Sequence, residues 1–172
     1  MDWLANFRRL MNQRETDYLA LRDTYAHLLG KRWTGNRLFG CYEIIRDYYR
    51  EFLGRELIDF NARKVYAFTD DAINEEDGKW VYRKDWGLDD GGVDFTTLEK
   101  NDILLFRLYT NPLGGGYSAP KGRAPNHGGV YLGDGFMLHH PYNGLSEIED
   151  LYDNGVQAYQ ISCVGAIRGN TT

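Results

Sequence analysis

The chain has 172 residues, with 20 Lys+Arg against 25 Asp+Glu and a formal net charge of −5. That length suits one domain with a short extension, and it can bury a core without disulfide staples. Hydrophobic residues make up 42% and charged residues 26%, which excludes a wholly disordered chain; the acidic balance argues against a nucleic-acid binder, and no apolar run approaches the roughly 20 residues of a membrane-spanning helix.

Residues 1–30 predict a helical N-terminal extension. Trp3, Leu4, Phe7, Leu10 and Met11 recur at helical spacing, and Tyr18, Leu19, Leu21, Tyr25, Leu28 and Leu29 form a second run after the polar NQRETD. Charges interrupt the apolar positions, so a secretory leader is not expected. The extension is expected to pack on the domain or to dock a partner. Gly30 or Gly35 closes it.

The next predicted helix runs from Phe39 to Leu53. Cys41, Ile44, Ile45, Tyr48, Tyr49 and Phe52 share one face, and Glu43, Arg46, Asp47, Arg50 and Glu51 fall largely on the other. Gly54 is placed as its C-terminal cap. Cys41 therefore sits in the first turn and points inward. Residues 61–100 give no secure assignment, and DWGLDDGGVDF within them reads as loop. Asp102 to Tyr109 is nearly all apolar, as in a strand buried on both faces. Asn111 to Pro125 is a long Gly/Pro loop, of the kind that often serves as a binding loop. NHGGVYLGDGFMLHH predicts a hairpin with Gly133, Asp134 and Gly135 at its tip, and VQAYQISCVGAIR a closing strand in which Cys163 is a buried small hydrophobe.

A thiol at a helix N-terminus has its thiolate favoured by unpaired amide hydrogens, and as a nucleophile it needs a base that is itself oriented. Three of the four histidines lie in the hairpin: His127, His139 and His140. A three-residue loop pairs Leu132 with Phe136 and Val130 with Leu138. It makes one face wholly apolar and puts His127, Gly129, Tyr131, Met137 and His139 on the other. The predicted constellation is Cys41 as nucleophile, His127 as general base and His139 as the group that fixes the His127 tautomer. The backbone amide of Cys41 is a candidate oxyanion donor. A zinc site using Cys41, His127 and His139 is the rival use of the same residues, without any CxxC or HExxH pattern to support it.

FGCYEIIRDYYREFLG resembles the Cys-bearing helix of the NlpC family of papain-like cell-wall peptidases. NDILLFRL resembles the strand that follows, with Asn101-Asp102 where the family usually has Gly-Asp, and NHGGVYLGDGFMLHH resembles the strands of the base and the orienting residue. The double His continuing into PYNGLSEIEDLY is closest to the branch found in tail-tip and tail-assembly proteins of long-tailed bacteriophages. The similarity covers roughly residues 31–168, so 31–172 is the expected peptidase domain. It implies an α+β, papain-like fold with an antiparallel sheet packed against the Cys-bearing helix. It implies Cys41, His127 and His139 as catalytic residues, with hydrolysis of amide bonds in peptidoglycan stem peptides through a thioester, and no metal or organic cofactor. It implies tail-tip or baseplate proteins as partners, location in the virion after synthesis in the host cytoplasm, and neither nucleic-acid binding nor membrane insertion. The alternative is a structural tail-tip component that keeps the fold with little catalysis. Gly40 stands where the family usually has Asp and Glu43 where it usually has Gly; the family's upstream substrate-binding Tyr has no clean match, Trp33 being a loose candidate only.

Overall fold

A computed structural model describes residues 3–32, 40–57, 80–82, 93–106, 108, 127–141, 144–153 and 157–169. Trp33, Gly35, Phe39, the loop over 111–125 and all of DWGLDDGGVDF before Val93 lie outside the described residues.

The two apolar runs of the extension belong to one helix, α1 (Trp3–Thr24), followed by a 3-10 turn at Ala26–Leu28. The polar NQRETD does not break it. Its residues are good helix formers facing solvent, and Gln13 donates to Asp17 at the i,i+4 spacing. The first half of α1 exposes its apolar side chains: Trp3 is 70% and Leu10 60% exposed. The second half packs inward. Tyr18 and Leu21 pack against the core, Tyr25 and Leu28 are fully in it, and Arg14 pairs with Asp150 while its guanidinium lies 4.7 Å from the Phe136 ring centre. Gly30 closes the region in the left-handed conformation, φ +71°.

Helix α2 (Gly40–Leu53) buries Cys41, Ile44, Ile45, Tyr48 and Tyr49 on the predicted face, and Gly54 follows at φ +61° as its cap. Phe52 is part-exposed at the rim, stacked on Tyr48. The sheet has six strands, every neighbouring pair antiparallel. They are β1 (Trp80–Tyr82), β2 (Ile103–Phe106), β3 (His127–Gly133), β4 (Phe136–His139), β5 (Glu147–Asp150) and β6 (Cys163–Gly169), in the order β1-β6-β2-β3-β4-β5. The protein is thus α+β, as expected. No helix of the described residues is long and apolar enough to cross a membrane.

Period-two alternation divides the sheet into two faces. Ile103, Leu105, Val130, Leu132, Phe136, Leu138, Ile148 and Ile167 form one core with α2 and the end of the extension. Leu104, Phe106, Tyr131, Met137, Leu151, Cys163 and Ala166 form a second core on the other face. Strand β2 is buried on both sides, as its unbroken apolar run predicts. Asn101, which precedes it, has φ +79°, a conformation that glycine adopts freely and asparagine tolerates best among the rest. That explains how Asn can stand in the Gly position of the resemblance. Asn101 also ties α2 to the sheet, accepting from Tyr48 Oη at 2.7 Å on its side chain and from Tyr49 Oη on its carbonyl.

Two expectations are corrected. In the hairpin, Val130 does pair with Leu138, but Gly133 rather than Leu132 lies opposite Phe136. A bulge takes up the extra residue, so the turn itself is Asp134-Gly135, both at positive φ (51° and 82°), with Gly133 at φ +97° in the bulge. The other correction concerns VQAYQISCVGAIR. Its first half is not strand: Gln157–Ser162 form a short helix, α3, and β6 begins only at Cys163. Gln and Ala favour helix over strand, and the helical turn brings Tyr159 against Phe106. Cys163 is fully buried, as expected.

Candidate active site

The hairpin register decides which imidazoles can meet. Phe106 pairs with His127 across β2 and β3, and Gly129 pairs with His139 across β3 and β4. His127 and His139 therefore share the face of Tyr131 and Met137. They are diagonal neighbours, and their rings hydrogen-bond, His127 Nε2 to His139 Nδ1, at 2.9 Å. Gly129, between them in the ladder, leaves the room: a Cβ there would come within 2.5 Å of the Met137 sulfur. Tyr159 presents its ring to both, with centroids 6.1 Å from His127 and 5.1 Å from His139, and Phe106 closes the third side at 5.8 Å from His127.

This enclosure sets the protonation states. His127 and His139 are 8% and 0% exposed. Burial, aided by the neighbouring imidazoles, pushes His127 well below its ordinary value and His139 down to about 3. Both are neutral near pH 7, so one imidazole donates its single proton to the other. If His139 Nδ1 accepts from His127 Nε2–H, His127 Nδ1 is left with a free lone pair, the arrangement a base requires. His140, the third hairpin histidine, lies on the opposite side of the alternation and contacts the Gly144 carbonyl at 3.2 Å.

Cys41 comes from the other face. Strand β3 carries Gly128 beside His127, and α2 packs closely on it: a Cβ at Gly128 would sit 3.2 Å from Ile45 Cδ1. The backbone amides of Gly128, Tyr42 and Cys41 itself favour the thiolate. The last two belong to the first turn of α2, whose N-terminal field favours negative charge as expected. Burial outweighs them and pushes the thiol up to about 11, so the resting state pairs a neutral thiol with neutral imidazoles. The groups that favour the thiolate are backbone groups of the described residues, and the His127 ring is not among them. The structure thus brings Cys41 to the residue adjoining His127 and brings His127 to His139. Glu43 favours the charged form of His140 and is not among the groups that shift the Cys41 thiol.

Sequence reasoning missed the surroundings of His139. Strand β5 lies beside β4, with Met137 opposite Glu149 and His139 opposite Glu147. Glu147 and Glu149 therefore face the same side as His139, whose Nε2 is 3.8 Å from Glu147 Oε1 and 3.5 Å from Glu149 Oε2. Nε2 is buried and has no hydrogen-bond partner among the described residues. Burial raises both carboxyls, Glu149 further raising Glu147, and Asp153 and Asp150 further raising Glu149. The signal was present in SEIED, where two acids flank one apolar residue at strand parity. The rival zinc set of Cys41, His127 and His139 is not brought together: among the described residues, the ligand atoms that gather within 4.8 Å are those of His139, Glu147 and Glu149. Comparison with family models gives no match, and comparison with curated proteins gives none either.

Proposed function

We propose that this chain is a papain-like cysteine peptidase of the NlpC type. It hydrolyses amide bonds of peptidoglycan stem peptides, carried at a bacteriophage tail tip where it opens the cell wall during infection. The observation that carries the reading is the 2.9 Å contact between His127 and His139 at the strand end where Gly128 lies against Ile45 of the Cys41 helix. On this reading the thiol loses its proton to His127 Nδ1 as the sulfur attacks the substrate carbonyl, because neither group is charged at rest. His139 accepts from His127 Nε2–H and stabilises the imidazolium as it forms. Open amides at the start of α2, with that of Cys41 foremost, face the developing oxyanion. His127 then protonates the leaving amine, and water attacking the thioester regenerates Cys41. Purified protein incubated with muropeptides is expected to release cleaved stems, and Cys41→Ala to lose at least about 10³-fold in rate. Equal product from both proteins would refute the assignment.

A second reading is a structural tail-tip component that keeps the fold with little catalysis. It is favoured by the burial of Cys41 and by the apolar stripe that α1 leaves in solvent. It predicts stable incorporation into virions, with Cys41→Ala leaving infectivity unchanged.

A further inference from the structure

We propose that His139 Nε2, Glu147 and Glu149 form a site for a divalent transition-metal cation of the zinc class, and that an ion bound there locks His127 in the tautomer unable to take a proton from Cys41. The metal site stands on geometry alone; the inhibitory consequence rests on the hydrolase reading.

Three potential ligand atoms, one from each residue, lie within 4.8 Å of one another. A tetrahedral zinc ion with bonds near 2.1 Å needs its ligand atoms about 3.4 Å apart. Nε2 already lies 3.5 and 3.8 Å from the two carboxylates, too long for a strong hydrogen bond and close to the span across a metal ion. His139 is fully buried, and Nε2 is aimed into this acidic pair without a partner. A neutral, buried nitrogen of this kind lacks the hydrogen bond such groups almost always have, and a metal ion would satisfy it. The donor set of one imidazole and two carboxylates suits zinc and its neighbours and leaves further positions open. Glu147 is half exposed and Glu149 a fifth exposed, which gives an ion its route in.

The consequence follows from counting protons. A metal on Nε2 confines the remaining His139 proton to Nδ1. Nδ1–H must then donate to His127 Nε2, in the manner of a ligating histidine whose second nitrogen is tied down. Neutral His127 is left with its own proton on Nδ1, the atom that should accept from the thiol. Without the ion, the His139 proton sits on Nε2 facing the carboxylates and the chain of hydrogen bonds runs in the productive direction. The same three residues thus offer a brake on the reaction.

The test titrates the full-length protein with zinc chloride by calorimetry. Wild type is expected to bind one equivalent, Cys41→Ala to bind equally well, and Glu147→Gln/Glu149→Gln to bind at least about 10-fold more weakly. Circular dichroism melting checks that the variants fold. Glu147→Gln alone, altering a half-exposed side chain, serves if the double variant does not. Cobalt(II) in place of zinc should give a visible spectrum without thiolate charge-transfer absorption. Unchanged affinity in the glutamine variants, or a thiolate band that disappears with Cys41, would overturn the site. Zinc should also slow muropeptide cleavage, and a chelator should restore it. Protein that binds zinc through these residues but cleaves nothing would remove the hydrolase reading and leave the metal site standing. Cleavage unaffected by bound zinc would remove the tautomer link.

Discussion

The two faces of the sheet are built from the same strands and do different work. The face under α2 is closed by aliphatic and aromatic side chains: Val130, Leu132, Leu138 and Ile167 meet Ile44, Ile45 and Tyr48. The other face mixes its apolar residues with buried polar ones. Asp102 and Arg168 form a bidentate pair there at 2.7 Å, and His127, His139, Glu147 and Glu149 follow across β3, β4 and β5. A face closed mainly by apolar side chains contributes stability chiefly through area removed from water, with less dependence on pH or salt. A face with buried ionisable groups holds together only while each has its partner. The contrast shows where the fold is supported and where it can carry chemistry.

Breaking the Asp102–Arg168 pair should give the largest stability loss. Asp102 is 1% exposed and also accepts from the Glu99 amide. Asp102→Ala removes both carboxylate contacts of the part-buried guanidinium, leaving it to Glu99 and the Thr97 carbonyl, and is expected to cost about 3 kcal/mol in denaturant unfolding. Leu138→Ala on the opposite face should cost a comparable 2–5 kcal/mol or so by leaving a cavity, with the same penalty at every pH. Acid sharpens the contrast next. The unfolded chain protonates its histidines from about pH 6.5 downward, whereas folded His139 resists until about 3 and folded His127 is likewise depressed. The unfolded state therefore binds more protons in that window. Stability is full above it and falls on acidification, by up to about 1.4 kcal/mol per pH unit for each imidazole. Unfolding midpoints measured from pH 7.5 to 5 should show this slope, and His139→Gln should flatten it. The smallest effect belongs to neither face: Phe7→Ser on the exposed half of α1 should shift stability by less than about 0.5 kcal/mol, measured the same way.

What was legible in the sequence was what short-range periodicity encodes. Helix α2 announced itself by Ile44, Ile45, Tyr48 and Tyr49 at helical spacing and by Gly54. The hairpin announced itself by GDG and by an alternation strong enough to select the Val130–Leu138 pairing. The pairing of β5 with β4 was not legible, because Ile148 alone marks its buried face and nothing local says which strand it joins. Glu147 and Glu149 therefore passed unnoticed as neighbours of His139. Helix α3 was hidden because Ile161 and Cys163 share strand parity, while a short helical turn carries Tyr159 to the imidazoles. Nor could periodicity say that the first half of α1 would lie exposed: an apolar stripe specifies a helix but not what covers it.

The two imidazoles stand 12 positions apart along a ladder that alternates sides at each step. Their meeting is governed by a count of residues. Losing or gaining one residue at the Asp134-Gly135 turn, with the pairing shifted to match, would carry His139 through the sheet to the side of Leu138 and part the rings. Two-residue changes would preserve sidedness while sliding the partners along the strand. This hairpin should therefore tolerate substitutions at its tip far better than changes of length, and natural variants of the protein should keep the interval even where the residues inside it differ.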